Sequence, residues 1–143
     1  MFSPLFKISE RDHLGMIIMS TLAGTFHDSE RWVSLEEIAQ WGKFSQGYLE
    51  QVAAPLRAAG LITSRKGMGG GYRLAKQPSA ITIEDVVQAL HGSYTLVPCL
   101  DKTMGCDLTA SCSSHYVWSF LQKGITETLQ KTSLADLIKK QRT

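Results

Sequence analysis

A glycine-rich, basic turn between two short apolar runs constrains this chain more than any other stretch. Residues 61–74 read Leu-Ile-Thr-Ser-Arg-Lys-Gly-Met-Gly-Gly-Gly-Tyr-Arg-Leu. Leu61 and Ile62 on one side, and Tyr72 to Leu74 on the other, suit two strands, and the glycines suit a long turn, so the stretch predicts a β-hairpin. A hairpin of this size buries too little to stand alone in water and must lean on something. The support is a helix predicted immediately before it, over residues 46–59, with Gly60 as its stop. Arg65 and Lys66 fall at the tip, and Arg73 and Lys76 on the return.

A shorter helix upstream completes the pattern. Ser34-Leu-Glu-Glu37 is a capping box, Leu35, Ile38 and Ala39 form an inward face, and the helix stops near Gly42. Ser45 caps the next helix. Two short helices joined by about three residues have helix-turn-helix spacing, and the hairpin that follows makes the unit a winged helix-turn-helix. Its second helix carries Ser45, Gln46, Gly47, Tyr48, Glu50 and Gln51 in its first turns, the part of a recognition helix that reaches base edges. Gln51 can pair with adenine, Glu50 can accept from cytosine, and Ser45 can bond a phosphate. Pro55 removes a backbone donor, so a kink or a break is expected there. The glycine-rich tip is no nucleotide loop, because it lacks Gly-Lys-Ser/Thr and no helix starts at its end. With little side-chain bulk beside Arg65 and Lys66, it suits a narrow minor groove. Charge agrees with this. Residues 44–80 hold five basic and one acidic residue, residues 1–43 four and six, and residues 81–143 six of each. The positive field lies on the helix-plus-hairpin segment, as a phosphate-facing surface requires; charge alone fits a solvated loop rich in Lys and Arg equally well.

Around this unit the chain is helical. Ser9 with Asp12 starts a helix whose stripe is Leu14, Ile17, Ile18, Thr21 and Leu22, ending at Gly24. Residues 26–33 read as a polar, exposed linker. Thr82 with Asp85 caps a helix faced by Ile83, Val86, Val87 and Leu90 and ending at His91-Gly92. Residues 94–98 are extended. A longer helix, 113–131, carries Val117, Phe120, Leu121, Ile125, Thr128 and Leu129 in one stripe, with Trp118 beside it and Gly124 inside it. That apolar face exceeds what one small domain needs and is read as the interface of a homodimer, which matches two half-sites. Ser133 with Asp136 caps a last helix over 134–140. The expected fold is mainly α with a small β-hairpin wing: a winged helix-turn-helix DNA-binding domain (1–92), a cysteine segment (93–113), and a dimerisation helix with a C-terminal helix (114–143). No apolar run approaches the ~18 residues of a membrane span and the N-terminus lacks a signal-peptide pattern. The chain is therefore expected in the cytoplasm, without a membrane partner.

All three cysteines lie in the segment 99–112, as Cys99-x6-Cys106-x5-Cys112-x2-His115. In a reducing compartment such a cluster points to a metal or redox site more than to structural disulfides. Thiolates with an imidazole suit zinc or an iron–sulfur cluster, though the wide gaps lack the usual zinc knuckle and a cluster tolerates wider spacing. Thiol–disulfide switching and inert cysteines stay open as alternatives. Catalysis by Cys112 with His115 finds no third orienting residue, so no enzyme is expected.

These motifs resemble one family. Ser34-Leu-Glu-Glu-Ile-Ala, Tyr48-Leu-Glu-Gln51, Leu56-Arg-Ala-Ala-Gly-Leu61, Gly69-Gly-Gly-Tyr-Arg-Leu74 and Cys99…Cys106…Cys112-Ser-Ser-His115 are similar to the Rrf-two (Rrf2) family of bacterial winged-helix regulators, in its IscR-like and NsrR-like branches. The resemblance covers nearly the whole chain. It implies a homodimeric transcriptional regulator, a repressor, binding double-stranded DNA at a promoter operator. It implies an iron–sulfur cluster on Cys99, Cys106 and Cys112, sensing nitric oxide, redox state or iron–sulfur supply. The fourth ligand would be His115 for a 2Fe–2S cluster. For a 4Fe–4S cluster it would be an N-terminal carboxylate of the other subunit, here Asp12 with His13 beside it. It places base contacts on Ser45, Gly47, Tyr48, Glu50 and Gln51, with Lys66 or Arg65 in the wing. The first cysteine gap is one residue longer than is common in the IscR-like branch, and Pro55 is a second departure. The alternative is a cluster-free or zinc-bound winged helix that senses thiol oxidation.

Overall fold

The computed structural model describes Ser3 and residues 6–142. The first helix, α1 (Glu10–Gly24), starts where its capping box demands. The Ser9 hydroxyl accepts from the Asp12 amide at 3.1 Å, and the Asp12 carboxylate accepts from the Ser9 amide and hydroxyl. Its buried face is Leu14, Gly15, Ile18, Met19, Leu22 and Ala23. This face is turned from the expected stripe: Ile17 and Thr21 are only half-buried, while Met19 and Ala23 enter the core. The apolar run Met16-Ile-Ile-Met19 fits two adjacent helix faces, and packing against the later helices Ile83–His91 and Leu134–Arg142 selects between them.

Helices α2 (Leu35–Gly42) and α3 (Gln46–Ala58) form the helix-turn-helix. Lys43 makes the turn in the left-handed region (φ 57). Ser45 caps α3, its hydroxyl oxygen accepting from the Tyr48 amide at 3.3 Å. The expected break at Pro55 does not occur. The helix runs through it to Ala58 with Leu49, Val52, Ala53 and Leu56 buried. Proline leaves the carbonyl four residues back without its usual donor; that residue, Gln51, is exposed, so water can take the bond. Helix α3 ends as the glycine predicts. Gly60 (φ 75) donates to the Arg57 carbonyl and Leu61 donates to that of Leu56, the paired bonds of a Schellman stop. This stop aims the chain into the hairpin.

The wing is β1 (Ile62–Arg65) against β2 (Gly71–Leu74), with Ile62 opposite Leu74 and Arg65 opposite Gly71. Residues 27–31 are exposed, as expected of a polar linker, but the ends of the stretch are not. Val33 is 2% exposed and exchanges two backbone hydrogen bonds with Tyr72, at 3.0 and 2.7 Å, adding a third strip to the hairpin. Gly71 allows this approach, because a Cβ there would lie 2.5 Å from the Val33 carbonyl oxygen. Phe26 packs against the core.

After the wing come a 3-10 turn at Pro78–Ala80 and helix α4 (Ile83–His91), capped by Thr82 and Asp85. The long helix α5 spans Ser113–Lys131, and α6 spans Leu134–Arg142. Helix α6 returns to the start of the chain. Ile83 donates to Thr132 and Leu134 donates to Ile81, and the Leu134 side chain is fully buried in the core beside α1. Among the described residues no helix is long and apolar enough to cross a membrane.

Candidate nucleic-acid interface and cysteine segment

An open cleft of about 380 Å³, bounded by Ser34, Glu36, Gln46, Glu50, Gly67 and Gly70, lies between the helix-turn-helix and the wing; of the residues expected to meet DNA, Glu50 lines it. The N-terminal turns of α3 form one wall and the wing tip the other. Ser45, Gly47, Glu50 and Gln51 are exposed, while Tyr48 is half-buried and packs on the core. Because the Ser45 oxygen already accepts from the helix, its hydroxyl proton stays free to donate to a phosphate, at a helix end whose dipole favours anions.

In the wing, Arg65 and Lys66 have different surroundings. The Arg65 guanidinium lies over the Trp32 ring, 4.7 Å from its centroid, and donates to the Gly69 carbonyl at 2.8 Å. Lys66 is exposed at the tip. Arg73 lies 5.6 Å from the same Trp32 centroid and donates to the Ser29 carbonyl at 2.5 Å. Trp32 and Val33 were missed by the sequence reading. One signal was available: Val33 precedes the Ser34 cap and Ile38 follows it by four, both apolar and both buried, which is the spacing of a hydrophobic staple.

The cysteine segment has few packing anchors. Residues 102–110 are all exposed. Local polar bonds shape it: Thr103 donates from its hydroxyl and its amide to Asp101, which holds the Asp101 carboxyl below its ordinary value, and Thr109 bonds the Cys106 carbonyl. Cys99 lies in a 3-10 turn, Pro98–Leu100, and Cys112 is the residue that precedes α5, its thiol making no capping bond. The fold brings Cys99 and His115 together, Sγ to Nδ1 at 3.3 Å. Cys106 is exposed. Among the described residues no three His, Cys, Asp or Glu side chains converge as a metal ion requires. Asp12 is occupied elsewhere, bonded to Ser9 and paired with His91 at the end of α4, and His13 is exposed. Three thiols and an imidazole are donor types that an iron–sulfur cluster accepts; of these, the structure brings Cys99 and His115 together.

Helix α5 carries the remaining feature. None of its residues is buried, and Tyr116, Val117 and Phe120 are 75%, 55% and 76% exposed.

A recognition helix, a basic wing and a shared cleft define a winged helix-turn-helix DNA-binding protein. The chain belongs to the Rrf2 family of transcriptional regulators, whose sequence model, described as an iron-dependent transcriptional regulator, matches residues 8–140. A regulator of Azotobacter vinelandii, the putative HTH-type transcriptional regulator ORF2, is 39% identical over 132 residues, covering 92% of this chain and 79% of the relative. The structure of CymR, the global cysteine regulator of B. subtilis, superposes with a TM-score of 0.77 at 36% identity, covering 93% of this chain and 96% of that one. T. potens IscR superposes with a TM-score of 0.75 at 34% identity, covering 95% and 88%. The protein is thus a DNA-binding transcriptional regulator.

Proposed function

We propose that this regulator is a homodimeric repressor whose affinity for a promoter operator is set by an iron–sulfur cluster. Ser45, Gly47, Tyr48, Glu50 and Gln51 would read the major groove, and the wing would follow the adjacent minor groove. Cys99, Cys106, Cys112 and His115 would hold the cluster, which when bound supplies an iron centre open to redox change and to nitric oxide. The observation that carries this reading is the 3.3 Å approach of Cys99 and His115 across sixteen residues, with Cys112 at the start of the same helix. Ordering of this segment fixes the front of α5. Through the dimer, α5 sets the separation of two recognition helices, which must match one DNA turn of about 34–36 Å.

The test is anaerobic purification followed by absorption spectroscopy with iron and sulfide analysis, and by mobility shift of promoter DNA at several salt concentrations. Visible absorption, iron with sulfide and a steep salt slope support the reading. A second reading, thiol sensing without a cluster, is favoured by the exposed Cys106 and by the unconverged donors. A colourless protein with zinc or no metal selects it. Failure to bind DNA at any salt removes both.

A further inference from the structure

Arg65 and Lys66 adjoin each other in sequence but have unlike surroundings, and this difference carries an inference about the wing. Thr63 and Arg65 share one face of β1, and Arg73, opposite Thr63, is on the same face. Two guanidinium groups therefore lie close together, and no carboxylate is bonded to either among the described residues. Both lie against one indole, that of Trp32, at 4.7 and 5.6 Å from its centroid. Arg73 also reaches the Phe26 ring at 6.0 Å and the Ser29 carbonyl. Trp32 itself is half-buried and is not part of the hydrophobic core. Its ring meets the wing through Arg65, at the turn end of β1, and Arg73, on β2. Arg65 closes the arrangement by donating to the Gly69 carbonyl, which ties down the tip that carries Lys66 and the fully exposed Met68.

The geometry points to Trp32 as the positioning residue of the wing: it gathers Arg65 and Arg73 into a brace that fixes the tip, so that Lys66, and not Arg65, meets the DNA backbone. The inference rests on the reading of the wing as a DNA contact. Arginine suits the brace because a planar guanidinium can face a ring and donate sideways to a carbonyl at once, as Arg65 does to Gly69 and Arg73 to Ser29, which a point-charge ammonium does less well.

The experiment measures binding to a short duplex enriched from a random-sequence pool by the wild-type protein, as a function of salt. Lys66→Ala is expected to weaken binding roughly tenfold and to lower the salt slope by about one. Trp32→Ala is expected to weaken binding by a similar factor, and Trp32→Phe to recover most of it. In the Trp32→Ala background, Lys66→Ala should add little, because the unbraced tip no longer presents that lysine. Arg65→Ala, at an exposed position, repeats this test should Trp32→Ala fold poorly. Arg65→Lys, which keeps the charge but loses the stack, should behave like Arg65→Ala. Additive losses for Trp32 and Lys66, or wild-type binding by Arg65→Lys, overturn the brace while leaving the wing as a contact. A silent Lys66→Ala overturns the wing reading and the brace with it.

Discussion

At the scale of single residues, Gly71 is constrained twice, by its backbone angle and by a close neighbour. It has φ 144, and any Cβ would meet the Val33 carbonyl. Gly71→Ala should therefore push residue 33 off the hairpin, costing about 1–3 kcal/mol, with a lower melting temperature and weaker DNA binding. Ligand roles also belong to this scale. His115→Ala should change the absorption spectrum of the anaerobically purified protein, whereas Asp12→Ala should mainly loosen the start of α1, where Asp12 bonds Ser9 and His91. An unchanged His115→Ala spectrum would remove that histidine from the ligand set. Capping residues were legible in the sequence because their partners lie three positions away: Ser9, Ser34, Ser45 and Thr82 all do what their neighbours require. The contacts of Trp32 with Arg65 and Arg73 join positions more than thirty residues apart, beyond the reach of local pattern, whereas Val33 left one local sign, its staple with Ile38.

Elements were legible where a period was long and stops were clear. Helix α5 was expected over 113–131 and spans Ser113–Lys131. Pro55 shows the opposite case. Local propensity argues for a break, but three buried residues before it and Leu56 just after it hold α3 together. Pro55→Ala restores one backbone bond and should raise stability by about 1–3 kcal/mol, read from the denaturant midpoint. Helix α6 makes a pH prediction. The Ser133 amide and hydroxyl hold the Asp136 carboxyl below its ordinary value of 3.8. A lowered folded value means that the cap is fully stabilising above the ordinary value and is lost as pH falls through the lowered one. Acid should thus loosen α6 first at its start, and Asp136→Asn should remove that pH dependence in amide exchange of α6.

At the scale of the whole molecule, one chain leaves much undone. The uncovered face of α5, with Phe120 76% exposed, is an apolar surface on a helix that buries none of its own residues. Phe120→Asp should yield a monomer in sedimentation and weaken operator binding by roughly tenfold or more, because two half-sites are no longer engaged together. The winged helix could be read from sequence because its contacts are between neighbouring elements. The donor set of the cysteine segment could be read as chemistry but not as geometry, since convergence of thiols in a stretch without apolar anchors depends on what it encloses.

The way α5 is attached has a mechanical consequence. Its rear half is moored: Gln122 accepts from the Leu96 amide, Thr126 meets the Tyr94 hydroxyl, and the residue after its end, Thr132, is bonded to Ile83 just ahead of the buried Leu134. Its front follows Cys112 and carries His115, whose bond among the described residues is to Cys99 of the cysteine segment and not to the core. On the proposed reading, a chemical event among the sulfurs would act at the far end of nineteen residues of stiff helix from this anchorage. The fold would then have the layout of a tiller, with the cysteines at the handle and the pivot beside the DNA-reading domain.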